Sequence, residues 1–202
     1  MTTYHFKTPI SEDDVRKLNV GDIIYVSGIV VTARDAAHRR MLDYVREGKS
    51  LPVDLKGGVL YHCGPVVKKV DEEWKVIAAG PTTSARMELY EADVIKNLGV
   101  RVIVGKGGMG ARTAEACKEY GAIYTSFTGG AAVLAANAIK RVIRVEWLDL
   151  GIPEALWIFE VENFGPLLVT IDAKGRNLIA EVVEKAKSRR EAVSYTHLTL
   201  PT

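Results

Sequence analysis

Residues 100–126 read V-R-V-I-V-G-K-G-G-M-G-A-R-T-A-E-A-C-K-E-Y-G-A-I-Y-T-S, and their order decides the fold class. Val100–Val104 is an apolar, β-branched run expected to form a buried strand, Gly105–Gly110 is a glycine-rich turn, and Ala111–Tyr120 has the composition of a helix. A second apolar run, Ala122–Ser126, follows at once. Strand, turn, helix and strand in this order describe a right-handed crossover between parallel strands, which gathers the turns at the carboxyl edge of the sheet.

The same unit recurs on both sides. Upstream, Trp74–Ala79, Gly80–Thr83 and Ala85–Leu98 read as strand, turn and helix; downstream, Phe127-Thr128-Gly129-Gly130 opens a helix expected over 131–143. Three such units predict an α/β protein with a parallel or mixed sheet flanked by helices. Towards the N-terminus, Ser11-Glu12-Asp13-Asp14 caps a short helix through Leu18, and Asp22–Ser27 reads as a strand. A helix is expected over Ala33–Glu47, with Thr32 as N-cap and Gly48 at its end. Gly57–His62, Val66–Val70, Val145–Leu148, Leu156–Val161 and Leu167–Ile171 are further strands, and Arg176–Ala186 is a closing helix. Residues 1–192 read as one domain and 193–202 as an appended, disordered tail.

Composition bounds the function. A chain of 202 residues, 48% hydrophobic and 26% charged, sustains one well-buried core. With 27 basic against 25 acidic residues, its field gives no reason to expect nucleic acid or a membrane as partner. Cys63 and Cys117 have no second cysteine or histidine at metal-ligand spacing, so the chain alone is expected to hold neither zinc nor an iron–sulfur cluster. Met1–Lys7 lacks the apolar stretch of a signal peptide, and the expected location is cytoplasmic.

Two turns carry the chemistry: Gly80-Pro81-Thr82-Thr83-Ser84-Ala85-Arg86 and Gly105-Lys106-Gly107-Gly108-Met109-Gly110. Each follows a strand and opens a helix, where unpaired N–H groups favour an anion. Gly105-x-Gly107-x-x-Gly110 matches a dinucleotide fingerprint, but residues 125–135 contain no acid to hold a ribose, and the lysine within the turn favours a smaller anion. The glycines could serve tight turning alone, and Thr82, Thr83 and Ser84 could serve as caps. Capping needs one hydroxyl, however, and here three precede Arg86. In the preceding helix, Arg34 and Asp35 stand four and three residues before His38, so Asp35 could orient the imidazole and Arg34 share its ligand.

Taken together, Ala33-Arg34-Asp35-Ala36-Ala37-His38, Tyr61-His62-Cys63-Gly64-Pro65, Gly80–Met87, Gly105–Met109 and Phe127–Ala132 resemble the beta subunit of class I, iron–sulfur-dependent fumarate hydratases. The same segment forms the C-terminal part of single-chain class I fumarases and the beta subunit of L-tartrate dehydratase. The resemblance implies a swivelling β/β/α domain that closes over an alpha subunit carrying a [4Fe–4S] cluster, in a heterotetramer of two alpha and two beta chains. It implies that this chain is inactive alone.

By motif, Thr82 matches the proposed catalytic base, Arg86 and Lys106 match ligands of a C4 dicarboxylate, and His38 matches a substrate-binding histidine. Arg34, Asp35, Thr83 and Gly105 are carried as neighbours of that site. The implied reaction is reversible hydration of fumarate to L-malate; the alternative is dehydration of L-tartrate to oxaloacetate. A non-catalytic module that binds a small anion or nucleotide and regulates a partner is the alternative from another class.

Overall fold

Apolar side chains alternate along the strands and build two cores, one on each face of a single sheet. In β2 (Ile23–Thr32), Val30 joins one core and Val31 the other; β3 (Val59–Tyr61) divides Val59 and Tyr61 from Leu60. β6 (Val102–Gly105) divides Val102 and Val104 from Ile103, and β7 (Ile123–Ser126) divides Ile123 from Tyr124. The computed structural model describes residues 1–197, with side chains to residue 190.

One further strand closes the sheet on itself. β2, β3, β6 and β7 are parallel neighbours, and the long β9 (Leu156–Ile171) runs antiparallel to both β7 and β2, completing a ring. β1 (Thr3–Lys7) pairs with the first half of β2, and β8 (Ile139–Glu146) with the first half of β9. Aromatic side chains fill the interior, with Tyr61 and Phe127 at 5.1 and 5.5 Å from the Phe164 ring. The outer core is covered by α2 (Asp35–Arg46), α3 (Glu91–Leu98) and α4 (Ala111–Tyr120), through Met41, Ile95 and Cys117 among others.

The α/β expectation, with a mixed sheet flanked by helices, holds, and several boundaries move. Trp74–Ala79 is not the first strand of a crossover: β5 (Glu73–Ala78) forms a separate hairpin with β4 (Val66–Val70), turning at Asp71 and Glu72. Trp74 packs edge-on against Trp157, 5.2 Å between centroids, which fixes the hairpin to the ring. Thr32 does not cap α2. Pairing carries β2 through Thr32, whose hydroxyl accepts a hydrogen bond from the Trp157 N–H at 3.1 Å, and Arg34 becomes the N-cap residue.

The helix expected over 85–98 is a 3-10 turn (Ser84–Met87) followed by α3. The helix expected over 131–143 ends early as α5 (Ala132–Ala138), because Ile139, Val142 and Val145 pair with β9 across two register shifts as part of β8. The strands expected over 156–161 and 167–171 are one strand, β9, and β1 was not anticipated. The short helix α1 (Glu12–Arg16) begins as expected, Ser11 Oγ accepting from the Asp14 N–H at 3.1 Å. The closing helix α6 spans Leu178–His197, and residues 198–202 of the expected tail lie outside the described residues.

One helix start is supplied from a distance. Glu88 accepts hydrogen bonds from the Gly110 N–H (2.6 Å), the Thr113 N–H (3.3 Å) and the Thr113 hydroxyl (2.8 Å), capping α4. Glu88→Ala is expected to cost about 1–2 kcal/mol, lowering Tm by about 2–8 °C in thermal unfolding.

Candidate active site

The parallel strands β3 and β6 part beyond Tyr61 and Gly105, and the turn at 81–84 enters between them. The Thr82 N–H donates to the His62 carbonyl (2.6 Å), the Lys106 N–H to the Thr82 carbonyl (3.3 Å), and the Ser84 N–H to the Lys106 carbonyl (3.1 Å). Thr82-Thr83-Ser84 is thus a short extended segment bridged to both strand ends. Ser84 is buried, Thr82 half-buried and Thr83 exposed.

The third turn lies alongside. Phe127 N–H donates to the Gly105 carbonyl at 2.8 Å, and a Cβ on Gly129 would stand 3.3 Å from Lys106 Cδ. The Lys106 stem therefore lies along the Thr128–Gly130 turn. Lys106 is half-buried and makes no ion pair among the described residues.

The neighbouring arginines are partnered. Arg86 Nε donates to Asp35 Oδ1 at 3.1 Å and its Nη2 stands 2.7 Å from Oδ2. The guanidinium is half-exposed, so the pair fixes its orientation at little energetic cost to a competing carboxylate. Arg34 Nε lies 3.3 Å from Glu154 Oε1, while Glu154 Oε2 accepts from the Ala36 N–H at 2.9 Å. Glu154 thereby occupies the start of α2 as Glu88 occupies that of α4. Helix N-termini are the part of the sequence-based anion site that the structure corrects: carboxylates of this chain satisfy them, and the turn at Ser84 opens only a four-residue 3-10 segment. The anion-holding groups that remain are the side-chain cations and the hydroxyls.

His38 is fully buried, and so are His62 and Glu91. Both imidazoles point their Nε2 at Glu91 Oε2, at 3.2 Å from His38 and 2.8 Å from His62. His38 Nδ1 faces the Arg34 carbonyl at 2.8 Å, and His62 Nδ1 faces Ser84 Oγ at 2.9 Å. Asp35 is therefore not the orienting partner of His38, as the helical spacing suggested; it turns outward to Arg86, and Glu91 and the Arg34 carbonyl orient the ring. Burial alone would push the His38 pKa down, but the hydrogen bond and charge of Glu91 outweigh it and raise the pKa. Burial dominates at His62, which is lowered. Burial opposes ionisation of Glu91, yet the two imidazoles hold its carboxyl well below the usual carboxylate range.

The cysteines carry no such chemistry. Burial pushes the Cys63 thiol up to about 12 and raises Cys117 as well, so neither is a thiolate near neutrality. They belong to opposite cores of the sheet and cannot share a ligand.

The structure thus gathers Thr82, Thr83, Gly105 and Lys106 at one sheet edge, ties Arg86 to Asp35, and sets His38 below in the outer layer. His62, Glu88, Glu91 and Glu154 had no assigned role in the sequence, and Ser84 only that of one of three hydroxyls before Arg86. His62, a polar residue closing an apolar strand, was the one visible signal. Glu91 has none, since its partners stand 53 and 29 residues away.

A family model described as Fumarase C-terminus matches residues 2–182. L(+)-tartrate dehydratase subunit beta of Escherichia coli (strain K12) is 44% identical over 186 residues, covering 92% of this chain and 91% of that protein. A chain described as putative L(+)-tartrate dehydratase subunit beta, from Methanocaldococcus jannaschii, is 45% identical over 177 residues, covering 87% and 91%. A putative fumarate hydratase class I of Geobacillus stearothermophilus is 45% identical over 181 residues, covering 89% of this chain and 34% of that longer protein.

Proposed function

Because the chain belongs to the Fumarase C-terminus family, we propose that it is the beta subunit of a two-subunit hydro-lyase that interconverts fumarate and L-malate. The observation that carries this reading is the insertion of Thr82–Ser84 between the ends of β3 and β6, which sets Thr82 and Thr83 beside Lys106 in the backbone and four and three residues before Arg86. Removing a proton from the carbon beside a carboxylate builds negative charge on that carboxylate, and fixed cations stabilise this charge more in the transition state than in the ground state. Arg86 presents a guanidinium fork, already oriented by Asp35, to one carboxylate; Lys106 offers its ammonium to the substrate as a point charge. Thr82 either takes the proton as an alkoxide, which the neighbouring cations would stabilise, and becomes the neutral hydroxyl, or its hydroxyl only positions the water that does so. His38, buried beneath this group, enters as a positioning residue.

The two buried cysteines do not fit a [4Fe–4S] cluster, so the cluster is assigned to a partner alpha subunit, in an assembly of two alpha and two beta chains. There it would act as a Lewis acid for the departing hydroxyl. Among the described residues no helix is long and apolar enough to cross a membrane.

A second reading, with L-tartrate as substrate, is favoured by the near full-length likeness to chains named as L(+)-tartrate dehydratase subunit beta. The substrates differ chiefly by one hydroxyl, a difference that one pocket contact can read. Anaerobic mixing with the alpha chain, followed by assays of fumarate, malate and tartrate, is expected to yield hydratase activity that neither chain has alone. Activity of this chain by itself, or turnover of tartrate only, overturns the fumarate reading.

A further inference from the structure

We propose that Glu91 is a positioning residue: its buried carboxylate, shared by a His38 imidazolium and a neutral His62, locks the segments bearing Arg34, Thr82 and Lys106 into one register. This rests on the function proposed above for those segments. The first support is connectivity. His38 stands in α2 and its Nδ1 holds the Arg34 carbonyl; His62 directly follows β3, its own carbonyl holds the Thr82 N–H, and its Nδ1 holds Ser84 Oγ. Glu91, at the start of α3, is the single atom group that both rings share. The network is close-packed against the lysine turn: a Cβ on Gly105 would fall 1.7 Å from Ser84 Oγ and 3.1 Å from His62 Nδ1.

The second support is proton bookkeeping. His38 faces an acceptor at each ring nitrogen, the Arg34 carbonyl and the Glu91 carboxylate, so both nitrogens must donate and the ring is a cation. His62 faces the carboxylate at Nε2 and a hydroxyl at Nδ1; the Ser84 hydroxyl donates to Nδ1 and the neutral ring donates from Nε2. One anion and one cation result, which is the balance a fully buried cluster requires. A second imidazolium would leave an uncompensated charge. The groups facing the cluster are few: Asp35 from α2, the ring of Tyr90 at 6.4 Å from His38, and Tyr124 and Cys117 from the outer core. None of these supplies a second counter-charge, since Asp35 is paired with Arg86. Glu91 Oε1 has no hydrogen-bond partner among the described residues, so the carboxylate is held through Oε2 alone.

The test has two independent arms. Nitrogen-15 spectra of the full chain at pH 7.5, where an unperturbed imidazole is about 90% neutral, should show one histidine protonated at both nitrogens, assigned to His38 by its loss in His38→Gln, and His62 as the Nε2–H tautomer. Glu91→Gln should collapse the His38 signal to the neutral form. In the reconstituted complex, Glu91→Gln should lower kcat/KM about a hundredfold, mainly through kcat, with Glu91→Asp recovering part of the loss. A neutral His38 in the wild-type spectrum, a stoichiometric metal ion in the purified chain, or Glu91→Gln kinetics within threefold of wild type would each overturn the proposal. If Glu91→Gln fails to fold, the wild-type spectrum decides. If the complex turns over neither substrate, the function is wrong and the spectrum still judges the network.

Discussion

Thr82→Ala is expected to lower turnover of the assembled complex by about 10²–10⁴-fold, the range for loss of a positioned acid–base group, with subunit assembly unchanged. The separation of the two effects follows from how the residue is held. Its position is fixed by the main chain, through the Thr82 N–H on the His62 carbonyl and the Thr82 carbonyl on the Lys106 N–H, and alanine keeps both bonds. The hydroxyl and the γ-methyl are lost, from a half-buried residue at the edge where Lys106 and Arg86 stand. Steady-state kinetics and native mass measurement on the same preparation read the two quantities. Near-normal turnover would remove Thr82 as the base.

Gly105→Ala is the second large effect, and here the fold itself should suffer. The added methyl would overlap Ser84 Oγ at 1.7 Å, and Ser84 is fully buried and engaged with His62. Overpacking of this kind costs about 1–3 kcal/mol, and displacing Ser84 shifts the neighbouring Thr82. Denaturant unfolding should therefore show a lower midpoint together with lost activity. Gly107→Ala is the control. Its site is open but its φ is +73°, so the cost there is backbone strain without the overlap. If both variants behave alike, close packing against Ser84 is not what glycine provides at 105.

What the sequence allowed was set by range. Apolar runs and glycine turns report on the next few residues, and so β3, β6, α4 and β7, with the gathering of their turns, were legible. Trp74–Ala79 had the same local signature as those strands, but its pairing with Val66–Val70 was chosen by the tight turn at Asp71-Glu72 and by Trp157, far along the chain. Ile139–Ile143 lost its helix in the same way, to an edge offered by β9. The candidate site divides along the same line. Thr82, Arg86 and Lys106 sit in compact motifs and could be named. The acids that cap helices or hold histidines, Glu88, Glu91 and Glu154, act across the fold and leave no local mark.

The ring of strands also dictates an order of events during synthesis. β2 emerges early, yet one of its edges is filled only by β9, whose paired residues lie more than a hundred positions later. Until that strand leaves the ribosome the barrel stays open, with Val26, Val30 and their neighbours uncovered. Such non-local pairing slows folding, because loop closure must precede the contacts that reward it. The chain must therefore complete its fold after most of it has been made, and a fragment ending before Leu156 has the candidate loops but no closed barrel to hold them.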